Sequence, residues 1–201
     1  MIKSLKIYSM LEETEALGPG KRFAIWLQGC NRRCIGCLSP RSQPLTGGNK
    51  YKISEIVHKI SEVKGIEGLT ISGGEPFLQA EGLNQLIIQL KQIKDYGIIV
   101  YTGYKLEQLK AKEKSDISVK ELLSNIDLLI DGEYVKELND GRRLRGSANQ
   151  QVFALTDRYK NHLASYGTSG RKVEIFFKED KIYFSGIPGK KFLHEWNNKL
   201  T

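Results

Sequence analysis

The residues most able to do chemistry are three cysteines, Cys30, Cys34 and Cys37, which make up the whole cysteine content of the chain and follow the spacing C-x-x-x-C-x-x-C. Thiolates are soft ligands, and three of them on one short loop can take three corners of a cubic iron–sulfur cluster with no donor from elsewhere. A structural zinc ion wants four protein ligands, whereas a three-thiolate cluster leaves one iron open to a substrate or cofactor. An open iron implies chemistry. Two other readings stand beside this one. Zinc could be completed by His58, although His58 falls on a helical segment and zinc sites are built more often from two separated pairs. The thiols could also be free and buried, against which their clustering argues.

Elements that would position such a loop are legible on either side of it. Four short apolar runs, Phe23 to Leu27, Leu69 to Ile71, Ile98 to Tyr101 and Leu128 to Ile130, read as strands. Ile53, Ile56, Val57, Ile60 and Val63 form one helical stripe, and Leu83, Leu86, Ile87, Leu90 and Ile93 form a second. Leu106 to Leu123 reads as two short helices broken around Ser115 and Asp116. Strands alternating with helices imply parallel β-α units, in which the loops at the carboxyl ends of the strands form the ligand site. Those loops are Gln28-Gly29-Cys30, Ser72-Gly73-Gly74-Glu75-Pro76, Thr102-Gly103-Tyr104 and Asp131-Gly132-Glu133, and they are expected to converge on one mouth.

Within that mouth, Gly73 and Gly74 allow a close backbone approach to a ligand, and Glu75 offers a negative charge to an ammonium group. The same four residues, Gly-Gly-Glu-Pro, also read as an ordinary turn. Thr102 and Asp131, at the ends of later strands, could hydrogen-bond ribose hydroxyls or could serve to end a strand and cap a helix.

The chain has 201 residues, 40% of them apolar and 27% charged, as in an ordinary globular domain. Residues 1–17 contain Glu12, Glu13 and Glu15 and no signal-peptide-like apolar stretch, and no later run reaches membrane-spanning length. An odd number of clustered cysteines argues against a disulfide framework and for a reducing compartment, so a cytoplasmic location is expected. The net charge of +8 comes from 31 basic and 23 acidic residues that are scattered along the chain. No aromatic-interleaved basic motif occurs, and neither nucleic acid nor a membrane is an expected partner.

Beyond Gly167 the texture changes. Val173 to Phe177 and Ile182 to Phe184 flank a polar turn and read as a β-hairpin, and Lys190 to Leu200 reads as a short closing helix. The expected organisation is a body over residues 1–167 and an extension over 168–201. Lys172, Lys178, Lys181, Lys190 and Lys191 look exposed and suit a docking role for the hairpin, while packing over an open sheet edge is the structural alternative.

The cysteine loop and Gly73-Gly74-Glu75, in this order, resemble the two motifs of the radical S-adenosylmethionine superfamily. The resemblance implies a [4Fe-4S] cluster on Cys30, Cys34 and Cys37 whose open iron is chelated by the methionine moiety of S-adenosylmethionine. It also implies that reduction of the sulfonium yields a 5′-deoxyadenosyl radical that abstracts hydrogen. The hard chemistry then belongs to the cofactors, and the protein supplies ligation and orientation, with no further catalytic side chain.

A closer resemblance, to the activating enzymes of anaerobic, class III ribonucleotide reductase, covers roughly Leu5 to Leu155. It rests on Gly18-Pro19-Gly20-Lys21-Arg22, Ile35-Gly36-Cys37, Thr70 to Pro76, Tyr101-Thr102-Gly103-Tyr104, Leu129 to Tyr134 and Arg145 to Gln150. By this resemblance Gly36, Cys37 and Leu38 border the adenosylmethionine, the turn glycines hold its methionine end, and Arg145 and Asn149 line the same mouth. A solvated basic loop with Asn149 capping the next strand is the other reading of those last two. Gly36 stands where many superfamily members carry an aromatic residue, and Leu38 where a polar or aromatic residue is common.

The fold implied is α/β, a partial, open β-α barrel of parallel strands with an appended C-terminal hairpin and helix. The function implied is installation of a glycyl radical on a reductase-like protein partner, with electrons from a donor such as flavodoxin or ferredoxin. A radical enzyme acting on a peptide, nucleotide or small molecule, and a non-catalytic metal-stabilised interaction module, are the alternatives.

Overall fold

The structure, a computed structural model, describes residues 3–168, 170–178, 181–189, 191, 192 and 195. At the centre of a seven-stranded sheet, β2 (Arg22–Leu27), β4 (Gly68–Gly73), β5 (Gly97–Tyr101) and β6 (Leu128–Asp131) lie side by side and parallel. They are the four apolar runs of the sequence, and their near-continuous apolar character follows from burial on both faces.

Three antiparallel strands that the apolar pattern did not mark complete the sheet. β1 (Ser4–Thr14) pairs with β2 on one side and with β3 (Asn49–Lys52) on the other, and β7 (Gln151–Ala154) pairs with β6. β1 buries only one side over much of its length, and β3 is polar and mostly exposed, so neither presents an apolar run.

The helices between the parallel strands all bury against one face of the sheet. α1 (Ile53–Ser61) contributes Ile53, Ile56 and Ile60, and α2 (Ala80–Lys91) contributes Leu83, Leu86, Ile87 and Leu90. α3 (Leu106–Lys112) adds Leu109, and α4 (Ile117–Ser124) adds Val119, Leu122 and Leu123. The expected break between the last two is present, and its cause is local. The Asp116 carboxylate accepts hydrogen bonds from Ser118 N and Val119 N and so starts a new helix.

The opposite face carries no crossover helix. Ala24, Ile99, Leu128 and Ile130 meet Leu17, Leu144, Tyr159, Ile187 and Tyr166, the last from α5 (Leu163–Thr168). At the amino-terminal ends of the strands this face holds a fully buried Arg22. Its guanidinium donates to Thr70 Oγ1 at 2.7 Å, Leu69 O at 2.6 Å, Gly97 O at 2.6 Å, Pro19 O at 3.1 Å and Tyr159 Oη at 3.0 Å, and it pairs with Glu67. One side chain therefore ties the starts of β2, β4 and β5 together.

The C-terminal hairpin consists of β8 (Val173–Lys178) and β9 (Lys181–Gly186), as the sequence suggested, and forms a separate two-stranded sheet. It is anchored to the body: Thr14 Oγ1 donates to Glu174 and lies 2.9 Å from Ser185 Oγ, and Lys172 pairs with Glu15. Lys172, expected to be exposed, is so, and it also pairs within the chain. The closing helix expected over Lys190 to Leu200 lies largely outside the described residues.

Candidate active site

The four loops at the carboxyl ends of the parallel strands form a closed ring of contacts. The first and second meet through backbone alone: Gly74 N donates to Leu27 O and Glu75 N to Gly29 O, both at 2.8 Å. Glycine is required there, since a Cβ on Gly74 would lie 2.1 Å from Gly29 O, and one on Gly73 would lie 2.5 Å from Leu27 N. The Gly-Gly pair thus seats the turn directly on the root of the cysteine loop.

Glu75 joins the second loop to the third. Its carboxylate, almost wholly buried, accepts from Thr102 Oγ1 at 2.8 Å, Gly103 N at 2.9 Å and Phe77 N at 3.0 Å. Burial nevertheless pushes its pKa up, with those hydrogen bonds and the charge of Arg32 opposing. Both Glu75 and Thr102 therefore spend their polar groups on each other and on backbone.

Asp131 performs the same service between the third and fourth loops. Its carboxylate accepts from Leu106 N at 2.8 Å at the start of α3 and from Gln151 N at 3.1 Å at the start of β7, with Lys105 at 3.4 Å. This is the capping role that the sequence left open. Gly132 N, donating to Tyr104 O at 2.9 Å, completes the joint.

The fourth loop returns to the cysteines. The Tyr134 backbone N–H neighbours the Cys34 thiol, and the Lys136 side chain covers Gly36, where a Cβ would meet Lys136 Cδ at 3.2 Å. Arg32, between two of the cysteines, stacks 3.8 Å over the Tyr104 ring and reaches Glu133 at 3.2 Å and Gln108 at 3.3 Å. No feature of the sequence marked Arg32 as the fastener of this loop.

All three thiols are half-buried and free. Two accept a backbone N–H, Cys30 from Arg32 at 3.3 Å and Cys37 from Ser39 at 3.4 Å, and the Tyr134 N–H neighbours the Cys34 thiol. The thiolate is the form that ligates metal. Burial pushes the Cys34 thiol up, and the Tyr134 N–H pulls it the other way. Arg33 and Gly36 take left-handed backbone conformations that curl the loop around its sulfurs.

No three Cys, His, Asp or Glu side chains among the described residues gather closely enough for a single metal ion. A cluster makes no such demand, because each thiol binds a different iron. His58, the possible zinc partner, lines a shallow concavity on α1 with Glu12, Glu13, Glu55 and Glu62, and no cysteine lines it. The donor set and its N–H partners fit a three-thiolate cluster, which when bound with adenosylmethionine supplies one-electron reductive cleavage and hydrogen abstraction.

The other expected mouth residues are placed as follows. Leu38 packs in an apolar group with Leu17, Ala24, Trp26, Tyr101 and Ile187. Arg145 is held by Asp140 through two nitrogens and reaches Gln150 O at 3.4 Å. Asn149 donates to Glu133 O at 2.8 Å, and its Oδ1 is buried with no partner among the described residues. Gln150, within the same run of sequence but not singled out there, holds Gly146 N at 2.8 Å, Ser147 N at 3.2 Å and Gly132 O at 2.6 Å.

Four parallel strands whose loop ring carries three clustered thiols suit a single-cluster iron–sulfur enzyme. Residues 16–153 match the family described as "4Fe-4S single cluster domain". The chain is 34% identical over 147 residues to the anaerobic ribonucleoside-triphosphate reductase-activating protein of Vibrio cholerae, an overlap of 69% of this chain and 91% of that protein. It is 31% identical to the protein of the same name from Enterobacteria phage T4, over 72% of this chain and 91% of that one. It is 28% identical to the one from Escherichia coli K12, over 69% and 91% respectively. The chain therefore belongs to the single-cluster 4Fe-4S family, and within it to the activating enzymes of the radical S-adenosylmethionine type.

Proposed function

We propose that the chain installs a glycyl radical on an anaerobic ribonucleoside-triphosphate reductase. The relatives that it matches over nine-tenths of their length carry that reductase in their names, and the family match over residues 16–153 includes the whole loop ring. The observation that carries the reading is the loop of three half-buried thiols, two of them paired with backbone N–H groups of the loop and the third beside the Tyr134 N–H.

In this reading Cys30, Cys34 and Cys37 hold the cluster, and the rim from Gly73 to Glu75 with Thr102, Asp131 and Asn149 places the adenosylmethionine. Because the side chains of Glu75, Thr102 and Asp131 bond within the ring, their part is to fix the backbone that meets the cofactor. Gly36 and Leu38 shape the loop, and Arg145 braces the segment beside it.

The sheet is read as an open, partial β-α barrel. Support comes from the sequential order of its parallel strands and from helices confined to one face. Residues 1–167 then form the catalytic body and 168–201 an extension. No helix among the described residues is long and apolar enough to cross a membrane. A reducing cytoplasm, with flavodoxin or ferredoxin as electron donor, is the setting the chemistry requires.

The test is electron paramagnetic resonance on an anaerobic mixture of reduced, cluster-loaded chain, adenosylmethionine and the reductase. A glycyl-radical doublet on the reductase is expected. Deoxyadenosine formed without that doublet would redirect the chemistry to another substrate.

A further inference from the structure

The C-terminal extension lies beyond the segment shared with the family, yet one of its residues reaches toward the cysteine loop. Arg171, just before β8, has a side chain only 5% exposed. Its Nε donates to Arg142 O at 3.0 Å. One terminal nitrogen donates to Asn139 Oδ1 at 2.7 Å and Pro188 O at 3.0 Å, and the other to Arg145 O at 2.7 Å and Gly146 O at 2.8 Å. All five N–H groups of the guanidinium are thereby used, four of them on the loop that follows β6 and Leu138.

From that loop the bonding continues inward. Asn139 donates from Nδ2 to Tyr134 Oη at 3.3 Å, and the Tyr134 backbone N–H neighbours the Cys34 thiol. The two side-chain groups of Asn139 thus link Arg171 on one side to the residue that touches the cysteine on the other. Ala148 N to Leu138 O at 2.7 Å and Val135 N to Ser147 Oγ at 3.1 Å hold the same segment closed.

We propose that Arg171 is a positioning residue for the cysteine loop, acting through Asn139 and Tyr134 on Cys34, so that the extension is a working part of the site. The proposal rests on the cluster reading above. The family match ends at residue 153, so Arg171 braces the matched body from outside it.

Physically, the guanidinium replaces water on four peptide or amide oxygens of a loop that otherwise faces solvent with Arg142 and Gly141. Lysine offers a point charge in place of a planar fork and reaches fewer of these partners, so Arg171→Lys separates geometry from charge. Coupling along such a route is established by a double-mutant cycle rather than by proximity.

The structure supplies a readout that needs no activity. Arg142 O and Arg145 O are the carbonyls of two trypsin-cleavable bonds, and Arg171 holds both. Initial tryptic nicking of the full-length chain at Arg142–Arg143 and Arg145–Gly146 should rise about tenfold or more in Arg171→Ala and Arg171→Lys, since each lost hydrogen bond changes local opening by a factor of roughly five. In the anaerobically reconstituted chain, both variants should shift the cluster's midpoint potential and reduced resonance spectrum. Asn139→Ala should reproduce that shift, and Arg171→Lys/Asn139→Ala should exceed neither single variant.

Faster nicking with an unchanged potential would overturn the proposal, leaving Arg171 a brace of its own loop. So would a potential restored by Arg171→Lys, which would reduce the effect to charge, or shifts that add in the double variant. If Arg171→Ala fails to fold, Arg171→Lys and Asn139→Ala carry the same test. A wild-type chain that takes up no 4Fe-4S cluster is a separate failure, that of the reading beneath the proposal.

Discussion

Gly74→Ala probes the joint between the cofactor-binding turn and the root of the cysteine loop. The added Cβ would sit 2.1 Å from Gly29 O and 2.7 Å from Gly29 C, and these are backbone atoms that no rotamer change can move aside. Relief requires the turn to back away, which breaks Gly74 N to Leu27 O and Glu75 N to Gly29 O. Overpacking of about 1–3 kcal/mol and two hydrogen bonds at about 1 kcal/mol each together predict a loss of about 3–5 kcal/mol. Urea unfolding of the apo chain measures the stability, and charge-transfer absorbance after anaerobic reconstitution measures cluster uptake. Gly170→Ala, with no heavy atom within 4 Å of its Cβ, is the matched control and should change stability by less than about 0.5 kcal/mol. A Gly74→Ala chain as stable as the control, with full cluster uptake, would refute the claim that backbone contact between the two loops builds the site.

Arg22→Met strands Glu67 and the carbonyls of Leu69 and Gly97 and should cost about 3–5 kcal/mol in urea unfolding, although Arg22 lies at the opposite end of the strands from the thiols. Asp116→Ala removes the cap between α3 and α4 and should cost about 1 kcal/mol without altering cluster content measured as bound iron. Glu75 has a pKa raised above its ordinary value of 4.5, so the folded chain keeps this proton after the unfolded chain has lost it. Its stabilising share is complete below pH 4.5 and is lost as pH rises through the folded value. Glu75→Gln should remove that part of the pH dependence in denaturation curves while weakening the joint at Gly103 N, where an amide NH2 would face a donor.

The parallel heart of the fold was legible because burial on both faces leaves an apolar run that polar flanks delimit, as at Leu69 to Ile71. β1, β3 and β7 were not, since strands paired at or near an edge need no such run, and Asn49–Lys52 is almost wholly polar. The cysteines announced themselves by chemistry alone. The Gly-Gly-Glu turn was also found, but not its structural contacts: the glycines admit a neighbouring backbone, and the glutamate bonds to Thr102 and Gly103. Single-residue periodicity carries no trace of such long-range partners. The same is true of Arg22 and Arg32, whose partners Tyr159 and Glu133 lie more than a hundred residues away, and of Arg171, which satisfies the carbonyls of a loop about thirty residues before it.

The central claim is that three thiols of one loop hold a 4Fe-4S cluster with one iron left open. Iron, acid-labile sulfide and zinc should be measured per chain after anaerobic isolation, together with the number of thiols shielded from alkylation. The account predicts about four irons and four sulfides, no stoichiometric zinc and shielding of Cys30, Cys34 and Cys37 together. One zinc per chain without sulfide, or a full cluster that leaves any of the three thiols open to alkylation, would contradict it.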